Sequence, residues 1–139
     1  MSYQNLLEEF AEAGRLALPD GEVALAAVPW AAHPSFAGVE LKQLVSGAQT
    51  EGKFSYHLVR IAPGGQIGLH THPTQLETHE VIAGSGFCLR DGQKIAYEPG
   101  VISLLPANVP HEVQVYTGFE LGAEFFRQGL AGLLVTAGG

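Results

Sequence analysis

Apolar and polar positions in this chain follow two periods. Through the first 20 residues, Leu6, Leu7, Phe10, Ala13 and Ala17 recur at near-helical spacing, which puts one apolar stripe on an amphipathic helix. Asn5 with Glu8 has the form of a capping box, and Pro19-Asp20-Gly21 is a stop signal. The pattern predicts a short surface helix packed on its own domain, with a dimerisation element as the alternative.

From Glu22 onward, short apolar runs alternate with turn signals. Strands are predicted at Glu22–Val28, Val39–Val45, Phe54–Ile61, Gln66–His72, Thr78–Ala83, Phe87–Leu89, Lys94–Tyr97, Val101–Leu105, Glu112–Tyr116 and Phe119–Phe126, and the tail adds another candidate. Pro63-Gly64-Gly65, Asp91-Gly92 and Pro99-Gly100 mark turns. Many short strands at such spacing predict an all-β sandwich or barrel. No helical runs separate them, which argues against a parallel βαβ sheet. The expected organisation is a helical segment over 1–20 and one β-domain over 21–139.

Composition narrows this picture. A chain of 139 residues suits one core. Only 15% of residues are charged, against roughly 25% in soluble proteins, which favours a large core or an oligomer. Fourteen acidic and seven basic residues give a formal charge of -7 with no Lys/Arg cluster, so nucleic acid and anionic membranes are poor partners. No apolar stretch reaches the roughly 18 residues of a membrane span. The N-terminus shows no secretory pattern, and the lone Cys88 excludes an internal disulfide. A cytoplasmic protein is expected.

The chemistry gathers in one segment. Three of the six histidines fall in His70-Thr71-His72-Pro73-Thr74-Gln75-Leu76-Glu77-Thr78-His79. Alternate strand residues share a face, so His70 and His72 can converge on one cation. Glu77 lies across a plausible turn, where its carboxylate lowers the cost of holding a divalent ion.

Gly64, His70, His72, Glu77 and Gly84 fill G-x5-H-x-H-x4-E-x6-G, and Gly100, Pro106 and His111 fill most of G-x5-P-x-G-x2-H-x3-N. These stretches resemble the two cupin motifs. Fifteen residues separate them, a spacing similar to that of compact microbial cupins. Asn108 stands where the family usually has Gly, and Val115 where it often has Asn. Asn tolerates positive φ best among non-Gly residues, and Val115 replaces a non-ligand. The resemblance implies a double-stranded β-helix, the jelly-roll barrel. It also implies a metal held by His70, His72, Glu77 and His111, with two positions of an octahedral ion left open. Mixed nitrogen and oxygen ligation suits one divalent Fe, Mn, Ni, Co, Cu or Zn ion.

Several residues lie outside this set. His79 shares strand parity with Glu77 and reads as a partly buried histidine with a backbone partner, with a candidate acid–base residue or an additional ligand as the alternatives. Glu80 should face outward. At most one of His57 and Arg60 faces the cavity of a regular strand, and Arg60 reads as a surface charge, with a carboxylate clamp as the alternative. Cys88 reads as buried packing, and Glu120 and Glu124 as a solvated edge. Phe54, Tyr56, Ile61, Ile67, Leu69, Phe87, Tyr97, Phe119 and Phe125 read as core.

The resemblance implies a metal-dependent small-molecule enzyme. Dioxygenase chemistry is expected with iron, and isomerase or lyase chemistry with a redox-silent ion. Glu77 and His79 are the candidate catalytic residues. A non-catalytic metabolite-binding or sensing module is the alternative, and a structural role fits the intact ligand set poorly. The expected partners are a small molecule and a second copy of the chain.

Overall fold

The computed structural model describes Glu9 and residues 11–115 and 130–138. Twelve strands are formed among them: β1 (Arg15–Leu18), β2 (Gly21–Ala24), β3 (Ala31–Ala32), β4 (Val39–Val45), β5 (Phe54–Ile61), β6 (Gln66–His70), β7 (Gln75–Gly84), β8 (Gly86–Arg90), β9 (Gln93–Tyr97), β10 (Ile102–Leu105), β11 (His111–Val115) and β12 (Leu130–Gly138). A six-stranded sheet runs β10-β7-β12-β5-β4-β3, a four-stranded sheet runs β6-β11-β8-β9, and β1 and β2 form a separate hairpin. The pairings are antiparallel. The result is an all-β jelly-roll barrel with a short helical stretch at Glu9 and Ala11–Ala13.

Strand alternation sorts side chains between the two faces of the large sheet. Val39, Val59, Ile61, Val81 and Leu105 meet Ile67, Cys88, Tyr97, Val113 and Val115 in the barrel interior. On the outer face, Leu44, Leu58 and Ala83 pack with Ala11 and Leu25, flanked by Leu16 and Trp30. The N-terminal segment therefore covers its own barrel.

That segment is less helical than expected. Arg15–Leu18 pairs with Gly21–Ala24 across Pro19-Asp20. Leu16 and Leu18 are half-buried while Ala17 is exposed, so a two-residue period prevails over the helical one. The expected strand from Glu22 also ends early, giving way at Leu25 to a 3-10 turn that buries Leu25. Asn5, Leu6, Leu7, Glu8 and Phe10 lie outside the described residues, as do the expected strand Phe119–Phe126 and its Glu120, Glu124 and Phe125.

Arg60 belongs to the outer face, as a surface charge rather than a clamp in the cavity. It pairs with Glu40 at 2.9 Å and stacks 4.1 Å over Trp30. The buried Lys42 donates to the Leu25 carbonyl at 2.7 Å. The C-terminal tail is a central strand: β12 pairs with both β5 and β7, so it offers no free edge to a second copy. Among the described residues, no helix is long and apolar enough to cross a membrane.

Candidate metal centre

Three local features aim the histidines inward. His111 pairs with His70, but Val113 pairs with Ile67, so β6 carries one residue more than β11 between those pairs. This bulge resets the alternation of β6. Ile67 is buried in the core, Leu69 is 67% exposed, and His70 stands opposite His111. Leu69 reads as core from its apolar side chain, but the extra residue turns it outward and brings His70 in. Gly68 admits the Phe36 ring, which would lie 2.9 Å from an added Cβ. The third feature is Asn108. Its φ of 64° makes the left-handed turn its family position requires, and its N–H donates to the His72 carbonyl at 2.7 Å.

The four expected ligands come together from both sheets. His70 and His111 stand on the small sheet, Glu77 stands on the large one, and His72 lies just beyond β6. Their candidate ligand atoms all lie within 4.8 Å of one another. Glu77 Oε2 is 3.0 Å from His111 Nε2 and 3.5 Å from His72 Nε2. The His70 and His111 ring centroids are 4.2 Å apart.

The donor chemistry fits a cation. His70 Nδ1 lies 2.7 Å from the Gly68 carbonyl, and His111 Nδ1 lies 3.0 Å from that of Val109. A carbonyl only accepts, so both Nδ1 atoms carry hydrogen and Nε2 is the nitrogen left for an ion. His72 Nε2 is buried without a hydrogen-bond partner, and such an orphan is costly unless something coordinates it. Burial raises the Glu77 carboxyl, but His111, His79 and His72 outweigh it and hold the group well below the usual carboxylate range. Burial lowers His111, yet the Glu77 hydrogen bond and the Val109 carbonyl bring it above its usual value. Burial dominates at His70 and lowers it, which favours the neutral imidazole that binds metals.

His79 faces the interior beside Glu77, with Nε2 3.7 Å from Oε1, while Glu80 is exposed. His79 Nδ1 lies 2.8 Å from the Tyr97 hydroxyl rather than against backbone. His57 shares the parity of Val59 and Ile61, whose side chains join the barrel core. Burial lowers its pKa against the pull of Glu77, and its Nδ1 is buried without a partner. Cys88 is fully buried in the barrel core. Sequence reasoning gave Tyr97 no role beyond core packing and did not single out Ser103. Ser103 pairs with His79 along β10 and β7, and Tyr97 reaches His79 from β9 of the opposite sheet, so no spacing in the sequence marks either. A cleft of about 460 Å³ is lined by His33, Phe36, Glu40, Arg60 and Ile61 among others, but by none of the four ligands.

Residues 57–121 match the family model described as the cupin domain. No curated protein matches the chain. A predicted oxalate decarboxylase from Thermotoga maritima superposes with a TM-score of 0.68 at 18% identity, covering 81% of this chain and 95% of that one. The polyketide cyclase RemF from Streptomyces resistomycificus gives 0.63 at 19% identity, covering 81% and 75%. A sugar phosphate isomerase of the cupin superfamily from Silicibacter pomeroyi gives 0.62 at 20% identity, covering 81% and 73%. At these identities the likeness is one of fold.

Proposed function

The chain belongs to the cupin superfamily, and from that premise we propose that it is a metal-dependent enzyme acting on a small molecule, with dioxygenase-like oxidation as the first reading. The observation that carries this reading is the convergence of His70, His72, Glu77 and His111 within 4.8 Å. Four protein ligands leave positions open on a six-coordinate ion, as catalytic rather than structural sites do. When bound, the ion would supply Lewis acidity to a chelated substrate oxygen and, if it is iron, redox chemistry as well.

The protein's own part is positioning and proton handling. Val59, Ile67, Val81 and Val113 give the interior an apolar wall that excludes water and favours a small ligand. Glu77 turns one oxygen toward His111 and the other toward His79, so a proton taken up at Glu77 would have His79 as its neighbour. This adjacency favours a second reading, a non-redox isomerase or lyase in which Glu77 and His79 are the acid–base pair. The decarboxylase, cyclase and isomerase names of the three similar structures lend that reading support. A binding or sensing module would use the same site without turnover. The proposal includes a cytoplasmic location, consistent with a lone cysteine, and a homodimer, consistent with Ile102 at 70% and Leu104 at 50% exposure on edge strand β10.

Elemental analysis of the tag-free protein beside His72→Ala tests the centre. Near-stoichiometric iron, lost in the variant, directs the search to oxygen consumption; zinc, manganese or nickel directs it to non-redox turnover. No metal after anaerobic reconstitution with each candidate ion rejects the metalloenzyme.

A further inference from the structure

Behind Glu77, a line of polar groups runs away from the ligand set. Oε2 faces His111 and His72, whereas Oε1 faces His79 Nε2 at 3.7 Å. The other side of the His79 ring meets the Tyr97 hydroxyl at 2.8 Å, with the two rings edge-on at 89°. Tyr97 is 2% exposed and His79 8%. Neither side chain is a metal ligand, and barrel packing alone does not require either polar group.

We propose that Tyr97 is a positioning residue of the metal centre: its hydroxyl fixes the His79 ring so that His79 holds Glu77 Oε1 and leaves Oε2 to face the ion. This inference rests on the metal-centre reading above. Its logic is one of donors and acceptors. The ionised carboxylate only accepts, so His79 presents N–H at Nε2. With Nε2 turned to the carboxylate, Nδ1 is the nitrogen that meets the phenol at 2.8 Å. Burial raises Tyr97 far above the ordinary phenol value, so the phenol keeps its hydrogen. Tyr97 is buried within the barrel core, which limits reorientation. At 3.7 Å the His79–Glu77 contact is electrostatic rather than a full hydrogen bond, so Tyr97 contributes orientation. Without that orientation, Glu77 is free to rotate or to offer both oxygens to an ion, since carboxylates bind metals in either mode.

The test is a Co(II) titration of the metal-stripped, full-length protein, read by visible absorption and calorimetry. Tyr97→Phe removes one oxygen atom and keeps the ring; thermal unfolding of each apo variant checks the fold. We expect Tyr97→Phe to bind Co(II) about 10-fold more weakly or worse, within the 10–100-fold range of such outer partners, and to shift the visible bands. His79→Gln should do the same, and Tyr97→Phe/His79→Gln should be no weaker than His79→Gln alone, because Tyr97 acts only through His79. Wild-type affinity and bands in Tyr97→Phe overturn the role of Tyr97. Losses that add in the double variant also overturn it, because an independent packing role would give that result. A wild-type protein that binds no Co(II) overturns the metal-centre reading and this inference together.

Discussion

Asn108 shows how one residue can serve both backbone and site. Its φ of 64° lies in the left-handed region, which costs an ordinary L-residue roughly 1–2 kcal/mol. Its N–H also ties the loop before His111 to the His72 carbonyl. Asn108→Gly should leave the urea midpoint nearly unchanged, whereas Asn108→Ala should lower stability by about 1 kcal/mol. Equal loss in both variants would show that the Asn side chain, not the turn, is what matters. Cys88 makes a pH-dependent prediction. Burial raises its thiol above the ordinary 9.0, and a raised folded pKa means that unfolding releases a proton at high pH. The stability it lends is intact below pH 9.0 and is lost as pH rises through the folded value. Urea midpoints should therefore fall above pH 9.0, and less steeply in Cys88→Ala, provided Cys88 is the group responsible.

Among the elements, β12 bears the greatest structural demand. Its backbone pairs on one side with β5 and on the other with β7, so it joins the halves of the large sheet. Proline at Leu134 would remove an N–H from a strand paired on both edges. Leu134→Pro should remove a ladder hydrogen bond and disrupt the central strand, leaving little folded protein by circular dichroism; a native-like spectrum and melting curve would contradict the pairing. The elements also mark how far the sequence could be read. Val39–Val45 and Phe54–Ile61 were legible to the residue, because β-branched and aromatic residues run between the turn signals at Gly38, Ser46-Gly47 and Pro63-Gly64. His70, His72, Glu77 and His111 were legible as a set through motif spacing. The bulge in β6 was not, because nothing local distinguishes an extra residue from a regular strand, and Leu69 reads as core only from its apolar side chain. Arg15–Leu18 was misread because Leu16, Ala17 and Leu18 suit either period, and packing on Leu58 and Leu25 settles the choice. The Tyr97–His79 contact joins β9 to β7 across the barrel interior and depends on how the two sheets face each other, which one sequence does not reveal.

For the whole molecule, two sheets meet at one cluster. β10 exposes Ile102 and Leu104 at the edge of the large sheet, so light scattering at micromolar concentration should show twice the 14.7 kDa chain mass; a monomeric peak would reject the homodimer. The more decisive consequence concerns the ion. His70 and His111 belong to the small sheet and Glu77 to the large one, so an ion on all three would cross-link the barrel across its interior. Glu77 and His111 also pair directly across the sheets at 3.0 Å. His72 is different: its side chain is 31% exposed, and its Nε2 has no hydrogen-bond partner to lose. His72→Ala should therefore leave the apo melting temperature within a few degrees of wild type. Added metal should raise the wild-type value, because a ligand bound only by the folded state contributes about 2.7 kcal/mol at a hundred times its Kd. His72→Ala should show little of that gain, and a chelator should reverse it in the wild type. Glu77→Ala should lose the gain and also lower apo stability, since it leaves the buried His111 without its partner. An equal metal-induced rise in wild type and His72→Ala would mean that the ion binds elsewhere, and the four-residue centre would have to be abandoned.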